Sequence, residues 1–287
     1  MMARSRDAEP DRATRPLRVL FVDSQSELGG PGYALLPMLE YLDRSEVAPV
    51  FVSLADELPE IWPRVQGLGV PAFHIPAGRF RRLDLSARAM YGLRRLIRKE
   101  EIDVVLANSG HPLLYARPAA WTAGRPSAWW VHGYLRDPGA RSEPIAKAQR
   151  LLSADALFAN SEYTAGELAK DFPDHPAIRI VRYGVDLPRF RPDPEAGARA
   201  RREAGIPEGE PVIGIIGQLY QFKGQRVFLR AAALLAGKGV RFSAAIVGGT
   251  LFGIEPEYAE EMKRLAETGL LAGRVRFLET FPTRRTG

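Results

Sequence analysis

Between Leu17 and Tyr183 the chain alternates between short apolar runs of strand length and stretches with apolar residues at helical spacing. The runs cover residues 17–23, 47–54, 71–75, 102–107, 127–132, 154–159 and 178–183. The helical stretches between them cover 34–42, 58–68, 83–101, 112–122, 145–152 and 162–171, the last with Ser161 as its N-cap. A nearly continuous apolar run fits a strand buried on both faces, and strands separated by helices pair in parallel. The chain is therefore expected to be α/β, with a doubly wound parallel sheet. In such sheets ligands bind beyond the carboxyl ends of the strands.

A break follows. Residues 187–194 hold Pro188, Pro192 and Pro194 and read as an interdomain linker. A second series then begins, with strands at 211–217, 241–248 and 274–278 and helices at 225–236 and 256–266. The expected organisation is a leader at 1–16, a first domain at 17–186, a linker region at 187–210 and a second domain at 211–287. The second domain holds roughly half the strands of an ordinary doubly wound domain. It reads as incomplete, with an apolar edge at Val275 or Phe277.

Composition excludes several classes. Hydrophobic residues make up 46% and charged residues 26%, the balance of a soluble globular chain. No apolar run reaches the roughly 20 residues of a membrane helix. Residues 1–16 are charged with no apolar centre, so they read as a disordered leader and not as a secretory signal. The expected location is the cytoplasm. With no cysteine there are no disulfides, thiolate ligands or cysteine nucleophiles, and four scattered histidines argue against a structural zinc site. The net charge of +6 comes mainly from arginine, since only six of the 40 basic residues are lysine. An arginine excess fits either anionic partners or a compositional bias of the genome. No run of five basic residues occurs and none is interleaved with aromatics, which argues against nucleic acid as a partner.

Five strand-end segments could carry chemistry. Gly29, Gly30 and Gly32 follow the first strand, where glycines let the backbone approach a ligand and the next helix offers free amides to an anion. The same glycines also suit a plain strand-to-helix turn, and the dinucleotide spacing G-x-G-x-x-G is absent. Residues 217–224 form the second loop, with Gly217, Gln218, Lys223 and Gly224. A lysine at a helix N-terminus opposes the dipole, and an anionic ligand would resolve that conflict. The plain alternative is an exposed lysine in a turn. Gly248 and Gly249 end the next strand on the same edge. Asn108 and Ser109 end the fourth strand of the first domain, and His132 and Gly133 end the fifth. His74, His111 and His175 read as structural. No Asp-x-Asp, Walker or Gly-x-Ser-x-Gly motif occurs.

Taken in order, these pieces resemble glycosyltransferase family 4, the group 1 retaining enzymes of GT-B fold. The matching segments are Gly29-Gly30, Asn108-Ser109, His132-Gly133, residues 154–161, 183–190, 217–224, 245–249 and 258–278. The resemblance implies two Rossmann-like domains, the second incomplete. It implies transfer of a sugar from a nucleotide sugar to a saccharide or lipid-linked acceptor hydroxyl with retention, without metal or other cofactor. It casts Lys223 as the grip on the donor diphosphate, with Gly217, Gln218 and Gly224 around it, and Gly29 and Gly30 approaching from the first domain. It casts His132 as the catalytic-site histidine near the donor sugar, and Asn108, Gly133, Gly248 and Gly249 as lining the cleft. Arg79 to Arg82 and Arg94 to Arg98 read either as a basic face for peripheral contact with the inner membrane or as the solvated side of a helix.

The chain departs from the family pattern in three places. Gln218 stands where arginine is frequent, and Tyr183 stands where asparagine is common. The Glu-x7-Glu motif is absent: Glu195 and Glu203 have that spacing but lie in the linker region. Two other readings therefore stay open. One is an inactive remnant acting as a binding module, and the other is a different GT-B enzyme such as a sugar epimerase or phosphorylase.

Overall fold

The computed structural model describes residues 15–78, 83–133, 143–250 and 256–278. The leader to residue 14, Arg79 to Arg82 and residues 279–287 lie outside the described residues. The chain divides into two compact units, one ending at Asp186 and the other beginning at Leu187.

The first unit contains seven strands: β1 (Leu17–Asp23), β2 (Val47–Ser53), β3 (Ala72–His74), β4 (Val104–Asn108), β5 (Ser127–Val131), β6 (Ala156–Ala159) and β7 (Ile178–Ile180). They form one sheet in the order β3-β2-β1-β4-β5-β6-β7. Every pairing is parallel. The intervening helices are α1 (Gly30–Tyr41), α2 (Trp62–Gly67), α3 (Leu83–Lys99), α4 (Gly110–Ala123), α5 (Glu143–Leu152) and α6 (Glu162–Asp171).

Alternation along the strands sorts the core into two layers. Leu20, Val22, Val50 and Val52 join Leu93, Ile97, Leu113 and Leu168 on the face of α3, α4 and α6. Phe21 and Phe51 join Leu35, Leu39 and Val65 on the face of α1 and α2. The helices change sides between β1 and β4. That makes the carboxyl ends of those two strands the topological switch point, where the loops diverge and leave a crevice.

The second unit begins differently from the expected linker. Residues Pro194–Glu203 form α7, capped by the Asp193 side chain, which accepts from Ala196 N at 2.8 Å. None of its residues is buried, so it carries no apolar stripe and periodicity misses it. Asp193 and Pro194 are nevertheless a cap followed by proline in the first turn, a helix-start signal. Then come β8 (Val212–Ile216), α8 (Gln225–Gly237), β9 (Ser243–Val247), α9 (Pro256–Ala266) and β10 (Val275–Leu278), with the parallel order β10-β9-β8. Leu229, Ala232, Ala259 and Met262 pack on Ala244 and Ile246. Val275 and Phe277, the expected open edge, are half-buried, whereas Ile216 at the end of β8 is 83% exposed.

Candidate functional site

At the switch point β1 ends in Asp23 and β4 in Asn108, both buried. The Asp23 carboxylate accepts from the backbone amides of Ser24 at 2.7 Å and Gln25 at 3.3 Å. Asn108 Nδ2 lies 3.5 Å from Asp23 Oδ2 and donates to Pro31 O at 3.4 Å. Asn108 Oδ1 accepts from His132 Nε2 at 2.7 Å. His132 Nδ1 in turn meets Tyr183 Oη at 2.8 Å. Asn160 Nδ2 donates to Tyr183 Oη at 2.9 Å and to His132 O at 2.6 Å. Thr164 Oγ1 donates to Asn160 Oδ1 at 2.7 Å. A single polar chain thus runs across the ends of β1, β4, β5, β6 and β7.

Burial disfavours the charged form of both ionisable members of this chain: His132 is neutral at pH 7, whereas Asp23 gains its proton only below about pH 6. Desolvation raises the Asp23 carboxyl to about 6, against its bonds to Ser24, Gln25 and Asn108. Desolvation lowers the His132 imidazole to about 4. An acid raised on folding keeps a proton that the unfolded chain has released. Its contribution to stability therefore falls as pH rises from about 4 to about 6, by up to about 3 kcal/mol. A histidine lowered on folding stays neutral where the unfolded chain is protonated, so its contribution rises with pH over the same window. Asp23→Asn is expected to leave a stability profile that climbs between pH 4 and 6, and His132→Gln one that descends. Urea titrations at a series of pH values check both. Two variants with the wild-type slope would contradict the assignment.

The helices at this edge are bare at their N-termini. α1 starts at Gly30, not near residue 34, with Gly29 as N-cap, no side-chain cap and no acidic residue in its first turn. A Cβ at Gly30 would meet nothing within 4 Å, so the backbone there faces open space. Gly32 is a packing residue, because a Cβ would come within 2.7 Å of the Leu28 side chain. α4 also lacks a side-chain cap, and its N-cap Ser109 has φ 113° and ψ 176°. That region suits glycine and costs another residue about 1–3 kcal/mol. Ser109→Gly is therefore expected to raise stability by about 1 kcal/mol, read as a higher urea midpoint with unchanged slope. A lower midpoint would show that the serine is not strained. By contrast α6 carries the Ser161 side-chain cap and Glu162 in its first turn, an ordinary stabilised start.

The second unit repeats the strand–loop–helix arrangement. After β8 the loop passes Gly217 (φ 155°) and Gln218, makes a short 3-10 turn at Gln221–Lys223, and reaches Gly224 (φ 84°), the N-cap of α8. Lys223 is exposed and ends that turn, one residue before the cap of α8. Its ammonium makes no ion pair among the described residues. α8 has neither a side-chain cap from its own N-cap residue nor a first-turn acid, although Arg226 N in its first turn donates to Tyr258 Oη at 3.2 Å. Buried Gln225 holds the loop from below: its Nε2 donates to Gln218 O at 2.8 Å. Gly217 N donates to Val247 O and Leu219 N to Gly249 O, each at 2.9 Å, so Gly248 and Gly249 lie against the same loop.

The sequence-derived residues thus fall into two groups. Asn108 and His132 are in direct contact, Gly29 and Gly30 sit at the same strand ends, and Gly133 follows His132 on the surface. Gly217, Gln218, Lys223, Gly224, Gly248 and Gly249 form the loop edge of the second unit. Sequence reasoning did not single out Asp23, Asn160 or Gln225. It also treated His111 as structural, whereas His111 Nδ1 lies 3.1 Å from Ser24 Oγ at the switch point. His74 and His175 do bond backbone carbonyls, of Ala55 and Ala154, each at 2.8 Å. Glu195 and Glu203 stand exposed on α7.

The sequence model of Glycosyltransferase Family 4 matches residues 28–189, more than half of the chain and most of the first unit. The chain belongs to glycosyltransferase family 4. It is 32% identical over 194 residues to a GDP-mannose-dependent alpha-(1-6)-phosphatidylinositol monomannoside mannosyltransferase of Mycolicibacterium smegmatis, covering 66% of this chain and 48% of the relative. It is 36% identical over 154 residues to the D-inositol 3-phosphate glycosyltransferase of Corynebacterium jeikeium, covering 52% of this chain and 36% of the relative. The chain thus spans about half the length of the mannosyltransferase it matches. Anabaena HepE, solved in complex with UDP-glucose, superposes with TM-score 0.76 at 22% identity over 92% of this chain and 69% of HepE. At that identity the likeness speaks for the fold, and the two Rossmann-like units are those of a GT-B chain.

Proposed function

We propose that this family 4 chain provides the donor-handling and acceptor-side framework of a glycosyltransferase, moving a sugar from a nucleotide sugar to a saccharide or lipid-linked hydroxyl with retention. The observation that carries this reading is the loop from Gly217 to Gly224. Gly217 opens it and Gly224 closes it, both at positive φ, with exposed Lys223 just before the second, and the helix behind it has no capping side chain from its own N-cap residue. The glycine-rich loop, the positive helix end and Lys223 together suit a diphosphate, whose leaving charge they would stabilise. Gly248 and Gly249 are assigned to the loop edge beside it, and within the first unit Gly29 and Gly30 at the start of α1, which has no side-chain cap, are assigned to binding of an anionic group.

His132 is assigned to the donor-sugar and acceptor site with Asn108 and Gly133. Both its ring nitrogens are bonded within the protein, so it acts there as a fixed neutral group and not as a base. The reaction is proposed to need no metal. The relatives named for GDP-mannose and inositol phosphate chemistry, and HepE with UDP-glucose, support a nucleotide sugar as substrate class. The test is incubation of the protein with UDP- and GDP-sugars and a saccharide or lipid acceptor, reading nucleoside diphosphate release and the anomeric configuration of the product. Transfer with retention is expected. Binding without transfer would favour the remnant reading, and epimerised sugar the other GT-B enzymes.

A lipid-linked acceptor would bring the protein to a membrane surface. No helix among the described residues is long and apolar enough to cross one. Peripheral contact is supported by α3, where Arg88, Arg95, Arg98 and Lys99 are exposed with Tyr91. Co-sedimentation with vesicles is expected to rise with anionic lipid content and to fall with salt. Indifference to lipid charge would end this part of the proposal.

A further inference from the structure

The polar chain at the switch point has a direction, and the direction depends on a residue outside the family pattern. Asn108 Nδ2 points at two acceptors, Pro31 O at 3.4 Å and Asp23 Oδ2 at 3.5 Å, which orients the amide. Asn108 Oδ1 therefore faces His132 and must accept, so His132 carries its proton on Nε2. Nδ1 is then a lone pair and needs a donor. On the far side Asn160 is oriented just as firmly. Its Oδ1 accepts from Thr164 Oγ1 at 2.7 Å, and its Nδ2 donates to His132 O at 2.6 Å and Tyr183 Oη at 2.9 Å. The Tyr183 hydroxyl accepts from Asn160 and has its own proton left for His132 Nδ1 at 2.8 Å, much the nearer acceptor than His132 O at 3.4 Å. Tyr183 also stacks on the imidazole, with ring centroids 5.7 Å apart and planes at 28°, and meets Trp130 edge-on.

We propose that Tyr183 is a positioning residue whose hydroxyl, oriented by Asn160, fixes His132 in the Nε2-protonated tautomer with its ring turned toward Asn108. The imidazole is thereby a neutral, immobile feature of the site. Its value for sugar transfer rests on the function proposed above, whereas the tautomer does not. The titratable groups tied into the chain are Tyr183 itself and Asp23, reached through Asn108. Burial lowers His132 and raises Tyr183, so both stay neutral across the physiological range.

The test is nitrogen-15 NMR of the histidine side chains in the full 287-residue chain, with His132→Gln locating the signal. In the wild type the His132 signals are expected to show the Nε2-protonated neutral form down to about pH 5. Tyr183→Phe keeps the ring stack and removes only the hydroxyl. It is expected to raise the His132 midpoint by about 0.5–1 pH unit, the worth of one lost hydrogen bond to the neutral form. A wild-type imidazole protonated on Nδ1, or titrating near 6.5, would overturn the proposal, as would a Tyr183→Phe midpoint equal to wild type. Should the variant not fold, the wild-type tautomer alone decides. Failure to bind any nucleotide sugar would sink the functional reading and leave these results standing.

Discussion

Gly248→Ala is expected to break the carboxyl edge of the second unit's sheet. A Cβ at residue 248 would stand 2.1 Å from Gly217 O and 2.8 Å from Gly217 C. Both are backbone atoms, and Gly217 is itself tied by its amide to Val247 O at 2.9 Å, so it cannot step aside without tearing the β8–β9 ladder. The φ of 133° adds strain for any residue with a side chain. Overpacking and strain together are expected to cost about 3–5 kcal/mol. Hydrogen exchange should show it as fast exchange in β8, β9 and the 217–224 loop, with the seven-stranded sheet protected as before. Gly249→Ala is the matched control, since a Cβ there meets nothing within 4 Å. Equal protection in the two variants would mean that the loop edge is not packed as described.

Lys223→Ala is expected to lower donor turnover by two to three orders of magnitude while leaving the fold intact. The side chain is exposed and makes no ion pair among the described residues, so its removal takes no structural contact with it. A preorganised charge aimed at a leaving diphosphate is commonly worth about 3–4 kcal/mol, which is the stated loss in rate. Because that charge grows as the sugar–phosphate bond breaks, kcat should fall more than KM rises. Thermal unfolding of the variant should match wild type. Unchanged kinetics would remove Lys223 from the diphosphate site.

Much of this was legible in the sequence, and the reasons are physical. The central strands of the first unit read directly because strands buried on two faces must be apolar at nearly every position, as in Leu20–Phe21–Val22; β8 and β10 read from their apolar residues although they are only partly buried. Their parallel pairing follows from the intervening helices, whereas their order and the switch point between β1 and β4 come from the folded sheet. α7 was missed because it buries nothing and offers only a cap and a proline as signals. The start of α1 was placed late because Gly29, Gly30 and Gly32 look like a loop, although helix N-termini built for close approach use the same residues. Asn108 and His132 were found as strand-end polar residues. The chain linking them to Asp23, Tyr183 and Asn160 was not, because it joins residues from β1 to β7 whose adjacency only the folded sheet creates. Tyr183 was visible as a departure from the family pattern, but its partner was not.

The most direct test of the central claim is a titration of the isotope-labelled chain with UDP and with GDP, following backbone amides. Nucleoside diphosphate is expected to shift the amides of Gly217 to Gln225 first and most, with binding lost in Lys223→Ala and little response to the nucleoside alone. Shifts confined to other surfaces, or none at millimolar diphosphate, would contradict the assignment of this loop as the donor site.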